Sequence, residues 1–133
     1  MAIENRLSIQ YFFGITDHGD LPFTPLLPRR IANAVTKVWN KKPYSHLTHT
    51  AASYRRLLES AGFRSTTFYA AIPGYKQPSA IAPLEAELIK SAAYSLHSRG
   101  DKLHGLMLRA ARFLARTGAL KHVVPAFVIL AEA

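Results

Sequence analysis

The segment Val123 to Ala131 constrains this chain more than any other, because it runs nine residues without a charged or amide side chain. An unbroken apolar run of this length reads as a strand covered on both faces. Pro125 falls near its start, where a strand tolerates proline. The run is too short to span a membrane, which takes about 20 residues. A strand this apolar needs partners on both edges and helices over both faces, so the remaining sequence must supply them or be read as incomplete.

It supplies few. Ser65 to Ile72 alternates, with Thr67, Tyr69 and Ala71 on one side and Phe68, Ala70 and Ile72 on the other, and Pro73-Gly74 closes it: a second strand. Ala2-Ile3 is an apolar stub that runs straight into Glu4-Asn5-Arg6 and reads as the tail of a third. Everything else has helical or loop character. Residues 7–27 mix aromatics, glycines and prolines in a loop-like register, with a short helix allowed over Leu7–Phe13. Pro28 stands at the first helical position before Arg29–Trp39, whose apolar spacing is Ile31, Ala34, Val35 and Val38, and Asn40-Lys41-Lys42-Pro43 ends it.

Thr48 or Thr50 caps a helix over Ala51–Ala61, with Tyr54, Leu57 and Leu58 on its apolar face. Gly62 and Phe63 supply the left-handed residue and the hydrophobic partner of its C-terminal cap. Pro83 is expected to open a further helix through Leu84, Leu88, Ile89, Ala92 and Leu96, ended by Arg99-Gly100. Asp101 caps a last helix through Leu103, Leu106, Met107, Ala110 and Leu114, ended by Thr117-Gly118. Two strands and a stub do not make a stable sheet with both faces covered. The pattern predicts an α/β chain that forms part of a larger sheet.

Composition narrows the function. With 49% hydrophobic residues among 133, the chain can bury a core and is not disordered. Having no cysteine, it cannot use thiolate zinc sites, disulfides or cysteine nucleophiles. No signal-peptide pattern opens the sequence, so a soluble cytoplasmic protein is expected. Lys and Arg number 17 against 8 acids, a formal charge of +9 that favours polyanions. The cations are scattered from Arg6 to Lys121, with doublets only at Arg29-Arg30, Lys41-Lys42 and Arg55-Arg56. A solvated basic surface accounts for that spread more simply than an anionic partner does. Phosphate loops, nucleophile elbows and paired-carboxylate signatures are missing, which argues against a kinase or hydrolase.

The order of these elements resembles a known family. A strand end with Ile3-Glu4-Asn5-Arg6, an Asp17-His18-Gly19 loop, the helix Tyr54-Arg55-Arg56-Leu57-Leu58 leading into Ala61-Gly62-Phe63, a strand, Pro73-Gly74-Tyr75, helices and a terminal strand are similar to the C-terminal half of class I S-adenosylmethionine-dependent methyltransferases. The resemblance implies the last part of a Rossmann-like sheet. Residues 1–3 would be the end of strand five, 4–47 a loop and helix insertion, and 48–133 a helix, strand six, helices and an antiparallel strand seven inserted between strands five and six. It also implies S-adenosylmethionine as the parent family's cofactor and a methyl acceptor as substrate, with anionic acceptors among the candidates.

The sequence departs from the family where the cofactor binds. Its seven glycines form no Gly-x-Gly-x-Gly turn, and strands one to four have no counterpart, so no cofactor-binding residue carries over. The resemblance therefore implies an inactive segment by itself, with a missing or separate N-terminal half as partner. Two other readings stand beside it: a small basic module that binds nucleic acid or another polyanion, and an interaction protein that pairs an exposed sheet edge with that separate half.

Candidate site residues gather at the opening. The carboxyl end of a parallel strand is where open α/β sheets bind ligands. Glu4 would orient or deprotonate an acceptor, Asn5 would hydrogen-bond it, and Arg6 would hold an anionic group; capping the strand end and forming a surface ion pair is an equal account of the three. Asp17 and His18 form an acid–imidazole combination, although a turn held by the Asp side chain explains them more simply. Tyr11 and Tyr75 are candidates for the acceptor wall; packing explains Tyr11, in the run Tyr11-Phe12-Phe13, more simply, and serves equally for Tyr75. His46 and His49 have a spacing that suits metal ligands but no third ligand nearby, so no metal is expected.

Overall fold

The computed structural model describes residues 1–16, 21–45, 47–96 and 101–133. Its four strands are β1 (Ala2–Glu4), β2 (Ser65–Ile72), β3 (Ala80–Pro83) and β4 (Ala126–Glu132). Among the described residues six helices accompany them: α1 (Ile9–Phe12), α2 (Arg29–Asn40), α3 (Ala51–Ser60), α4 (Ala86–Ser95), α5 (Lys102–Arg116) and α6 (Leu120–Val123). The fold is mixed α/β, around a four-stranded antiparallel sheet in the order β1-β4-β2-β3.

The last strand is the organiser. β4 is antiparallel to β1, with Ala2 opposite Val128 and Glu4 opposite Ala126, and antiparallel to β2, with Phe68 opposite Ile129 and Ala70 opposite Phe127. β1 and β2 therefore run in the same direction on its two flanks. The ladder extends to the first residue, where the Met1 ammonium donates to the Ile129 carbonyl (2.8 Å) and the Ile129 N–H donates back to Met1 (2.7 Å).

One face of this sheet holds the core. Phe127, Ile129, Phe68, Ala70 and Ile72 meet Tyr54 of α3, Ile89 and Ala93 of α4, Ala115 of α5 and Leu120 of α6. Phe127 sits edge-on to both Phe68 and Tyr54, with ring centroids 5.7 and 6.4 Å apart, a favoured aromatic geometry. The other face is covered only at its Ala71–Ala126 end. Leu130 toward the other end and Ile81 on the edge strand opposite Ala71 are more than half exposed, with Val128 and Tyr69 half-buried. The expectation that the final strand is covered on both faces is thus corrected. The helices of the core cluster pack on a single side, and Leu130 and Ile81 on the other stay open to water.

Local chemistry explains the helix ends. The Thr50 hydroxyl accepts the Ser53 N–H at the start of α3, and Gly62 at φ +94° lets Phe63 donate back to the Leu58 carbonyl (3.1 Å) at its end. Asp101 accepts the Leu103 N–H at the start of α5, and Gly118 at φ +73° follows its end. Three expectations fail. Pro83 does not open a helix; it ends the edge strand β3, where a missing N–H costs nothing, and α4 starts at Ala86. Leu120–Val123 is one helical turn, so the terminal strand starts at Ala126. In α2 the small residues Ala32 and Thr36, one turn apart, face inward, while Ile31, Val38 and Trp39 are at least half exposed.

Candidate functional site

At the carboxyl end of β1 the three polar side chains go to different places. Asn5 is fully buried, and its Nδ2 donates to the carbonyls of Val124 (2.8 Å) and His122 (3.0 Å) while its Oδ1 accepts the Leu7 N–H (3.1 Å). With both amide hydrogens committed, it ties the end of β1 to the segment entering β4. Arg6 donates from Nε to the Pro25 carbonyl (3.1 Å) and from Nη2 to the Leu27 carbonyl (3.0 Å), pinning the short 3-10 turn Thr24–Leu26. Both residues are held by backbone oxygens. Glu4 differs: its Oε2 accepts the hydroxyl of buried Tyr11 (2.9 Å), and its carboxylate lines a cleft.

That cleft, about 310 Å³, is shared by Glu4, Tyr75, Gln10, Lys76 and His104. Glu4, Tyr11 and Tyr75 are the sequence candidates that the fold brings together, whereas Asn5 and Arg6 are turned to structural work. Asp17, His18 and His46 lie outside the described residues. No group of three metal-ligating side chains occurs among the described residues. The exposed Arg55 reaches back over the Phe68 ring, 5.3 Å from its centroid.

A second hollow of about 350 Å³ adjoins the first, and Gln10, Pro73, His104 and Pro125 belong to the walls of both. It is apolar, and it lies between α1, α4, α5 and the end of β2. At the junction His104 Nδ1 lies 3.1 Å from Asp101 Oδ2. The hydrogen bond from His104 holds the Asp101 carboxyl below its usual range, and the Leu103 N–H adds to the effect. Reading the sequence missed His104 and saw Asp101 only as a helix cap. The available signal was the three-residue spacing, which places a side chain one turn into a helix back over its N-cap.

His49 marks the opposite side of β1. Its carbonyl accepts the Arg6 N–H (3.2 Å), and its ring meets Tyr54 edge-on at 5.2 Å. Partial burial, then the charges of Arg29 and Arg6, hold its imidazole below the ordinary pKa. As pH falls below about 6.5, the unfolded chain takes up a proton that the folded chain still refuses, so stability is lost. His49→Gln is expected to flatten the decline in stability between pH 7 and pH 5, as read by urea denaturation at each pH. An unchanged slope would contradict this.

No protein-family model, curated protein or solved structure matches this chain. No helix among the described residues is long and apolar enough to cross a membrane.

Proposed function

We propose that this chain is the C-terminal, acceptor-side segment of a class I S-adenosylmethionine-dependent methyltransferase, which moves a methyl group from a sulfonium to a nucleophilic acceptor. The observation that carries the reading is the order of the sheet. β4 lies antiparallel between β1 and β2, which share a direction and are linked through α3, the arrangement the family resemblance implies for strands seven, five and six. The half-bare sheet face and the edge strand β1 give further support, since they are where additional strands and helices would join. The cleft beside Glu4, Tyr11 and Tyr75 then falls on the acceptor side, and methyl transfer asks the protein mainly to position its reactants.

The described residues do not fit S-adenosylmethionine. The glycines at positive φ, Gly14, Gly62 and Gly118, each follow the end of a helix, and none makes a strand-to-helix turn that would cradle the cofactor. No residue is assigned to it. The 133 residues alone are expected to give no heat on titration with S-adenosylmethionine. The chain extended at its N-terminus by the segment its genomic locus encodes upstream is expected to give a stoichiometric site. A stoichiometric site on the 133 residues alone, or none on the extended chain, would overturn the proposal. The polyanion reading rests on the +9 charge alone. Affinity of the unextended chain for oligonucleotides that falls steeply with salt would favour it.

A further inference from the structure

We infer that the apolar hollow between α1, α4 and α5 is a binding site for a compact, uncharged ring compound carrying a hydroxyl group, which donates to His104 at the mouth. The inference goes beyond the methyltransferase reading, because the described walls of the pocket bind such a ring without S-adenosylmethionine.

Size comes first. A dry cavity of about 150 Å³ accepts benzene, and ligand pockets begin at about 300 Å³. At about 350 Å³ this hollow suits a fused two-ring compound. Ala93 of α4 and Ala111 of α5 line it where larger side chains would close the gap between the helices. Ile9, Ile72, Leu108 and Leu120 supply apolar wall, and Met107 adds a side chain that adapts to irregular shapes.

Charge and hydrogen bonding then select the ligand. Among the described residues the lining holds no Lys, Arg, Asp or Glu, so the described walls favour an uncharged ligand over a phosphate or carboxylate. An ionised carboxylate only accepts hydrogen bonds, so the His104 Nδ1 facing Asp101 carries the hydrogen, and in the neutral imidazole Nε2 is then an acceptor. Gln10 spends an Nε2 hydrogen on the Pro73 carbonyl (2.8 Å), which leaves its Oε1 to accept as well. Two acceptors at the rim of an apolar chamber favour a ligand with a hydroxyl donor over its ether.

The test titrates the 133-residue chain with 1-naphthol and with 1-methoxynaphthalene, following ligand fluorescence and backbone amide shifts. Saturable one-to-one binding is expected, about tenfold tighter for 1-naphthol, the worth of one good neutral hydrogen bond. Ala111→Phe, which fills the chamber, is expected to abolish binding of both compounds. Met107→Trp fills it from another lining position on α5 and serves if the first variant fails to fold. His104→Ala is expected to retain binding and equalise the two affinities. Absence of saturable binding, binding that survives in a folded chamber-filling variant, or equal affinity of the two compounds for the unaltered chain would overturn the proposal. None of these readings involves S-adenosylmethionine, so they stand apart from the test of the methyltransferase reading.

Discussion

Replacing Asn5 by aspartate is expected to remove most of the stability of this chain at pH 7. The substitution keeps shape and volume but turns two donated hydrogen bonds into two close oxygen–oxygen contacts. The position occupied by Nδ2 is 2.8 Å from the Val124 carbonyl and 3.0 Å from that of His122, in a site with no solvent exposure. An uncompensated buried charge typically costs about 3–5 kcal/mol, a large share of the ~5–15 kcal/mol that holds a domain together. Protonation offers an escape, because a neutral carboxyl regains one donor. The carboxyl pKa of the variant is therefore expected to rise on folding, so the variant recovers stability as pH falls and loses it as pH climbs. Asn5→Ala, which leaves two carbonyls unsatisfied without adding a charge, is expected to lose about 2–3 kcal/mol with no such pH dependence. Urea denaturation followed by circular dichroism at pH 4.5 and 7 separates the variants. An aspartate variant as stable as the parent at pH 7 would mean that Asn5 does not lock β1 to the α6–β4 connection.

Phe127→Ala is expected to cost about 3–5 kcal/mol, the range for emptying the place of a buried aromatic ring. Phe127 is the largest fully buried side chain and has lost all but 1% of its exposure. It links β4 to β2 through Phe68 and to α3 through Tyr54, so its removal loosens the sheet and its helical layer together. The informative comparison is Leu130→Ala on the same strand. Leu130 points to the bare face and keeps 55% of its surface in water, so its truncation is expected to change stability by no more than about 0.5 kcal/mol. Equal losses for the two variants would mean that both faces of β4 are covered.

That contrast also shows how far the sequence could be read. β2, α3 and α5 were legible because their signals are local: strict alternation over Ser65–Ile72, the Thr50 cap with Gly62-Phe63, and the Asp101 cap with Gly118. The unbroken apolarity of the last strand hid its two different faces, since Val128 and Leu130 are as apolar as Phe127 and Ile129 although neither joins the helix-covered core. β3 escaped because it is four residues long and ends in Pro83, a residue equally at home at the start of a helix. Asn5 and Arg6 were read toward a substrate because they follow a strand end. What claims them are carbonyl oxygens of residues 19 to 119 positions away, which become neighbours only when the chain folds. Gln10 gave no signal, and His104 only its three-residue spacing from Asp101, because the role of both depends on a hollow that helix packing creates.

The placement of β4 between β1 and β2 underlies both the fold and the functional reading, and it can be tested by cross-linking. The sequence has no cysteine, so introduced pairs report without interference. Ala2→Cys with Val128→Cys and, in a separate variant, Thr67→Cys with Leu130→Cys place thiols at directly opposed positions on the two flanks of β4. Opposed strand residues lie within the Cα separation a disulfide spans, about 4.4–6.8 Å. Mild oxidation of the folded chain is expected to close both pairs nearly completely, as read by intact mass after alkylation. Closure of one pair without the other would mean that β4 has a partner on a single flank, and the sheet order that supports the methyltransferase reading would be wrong.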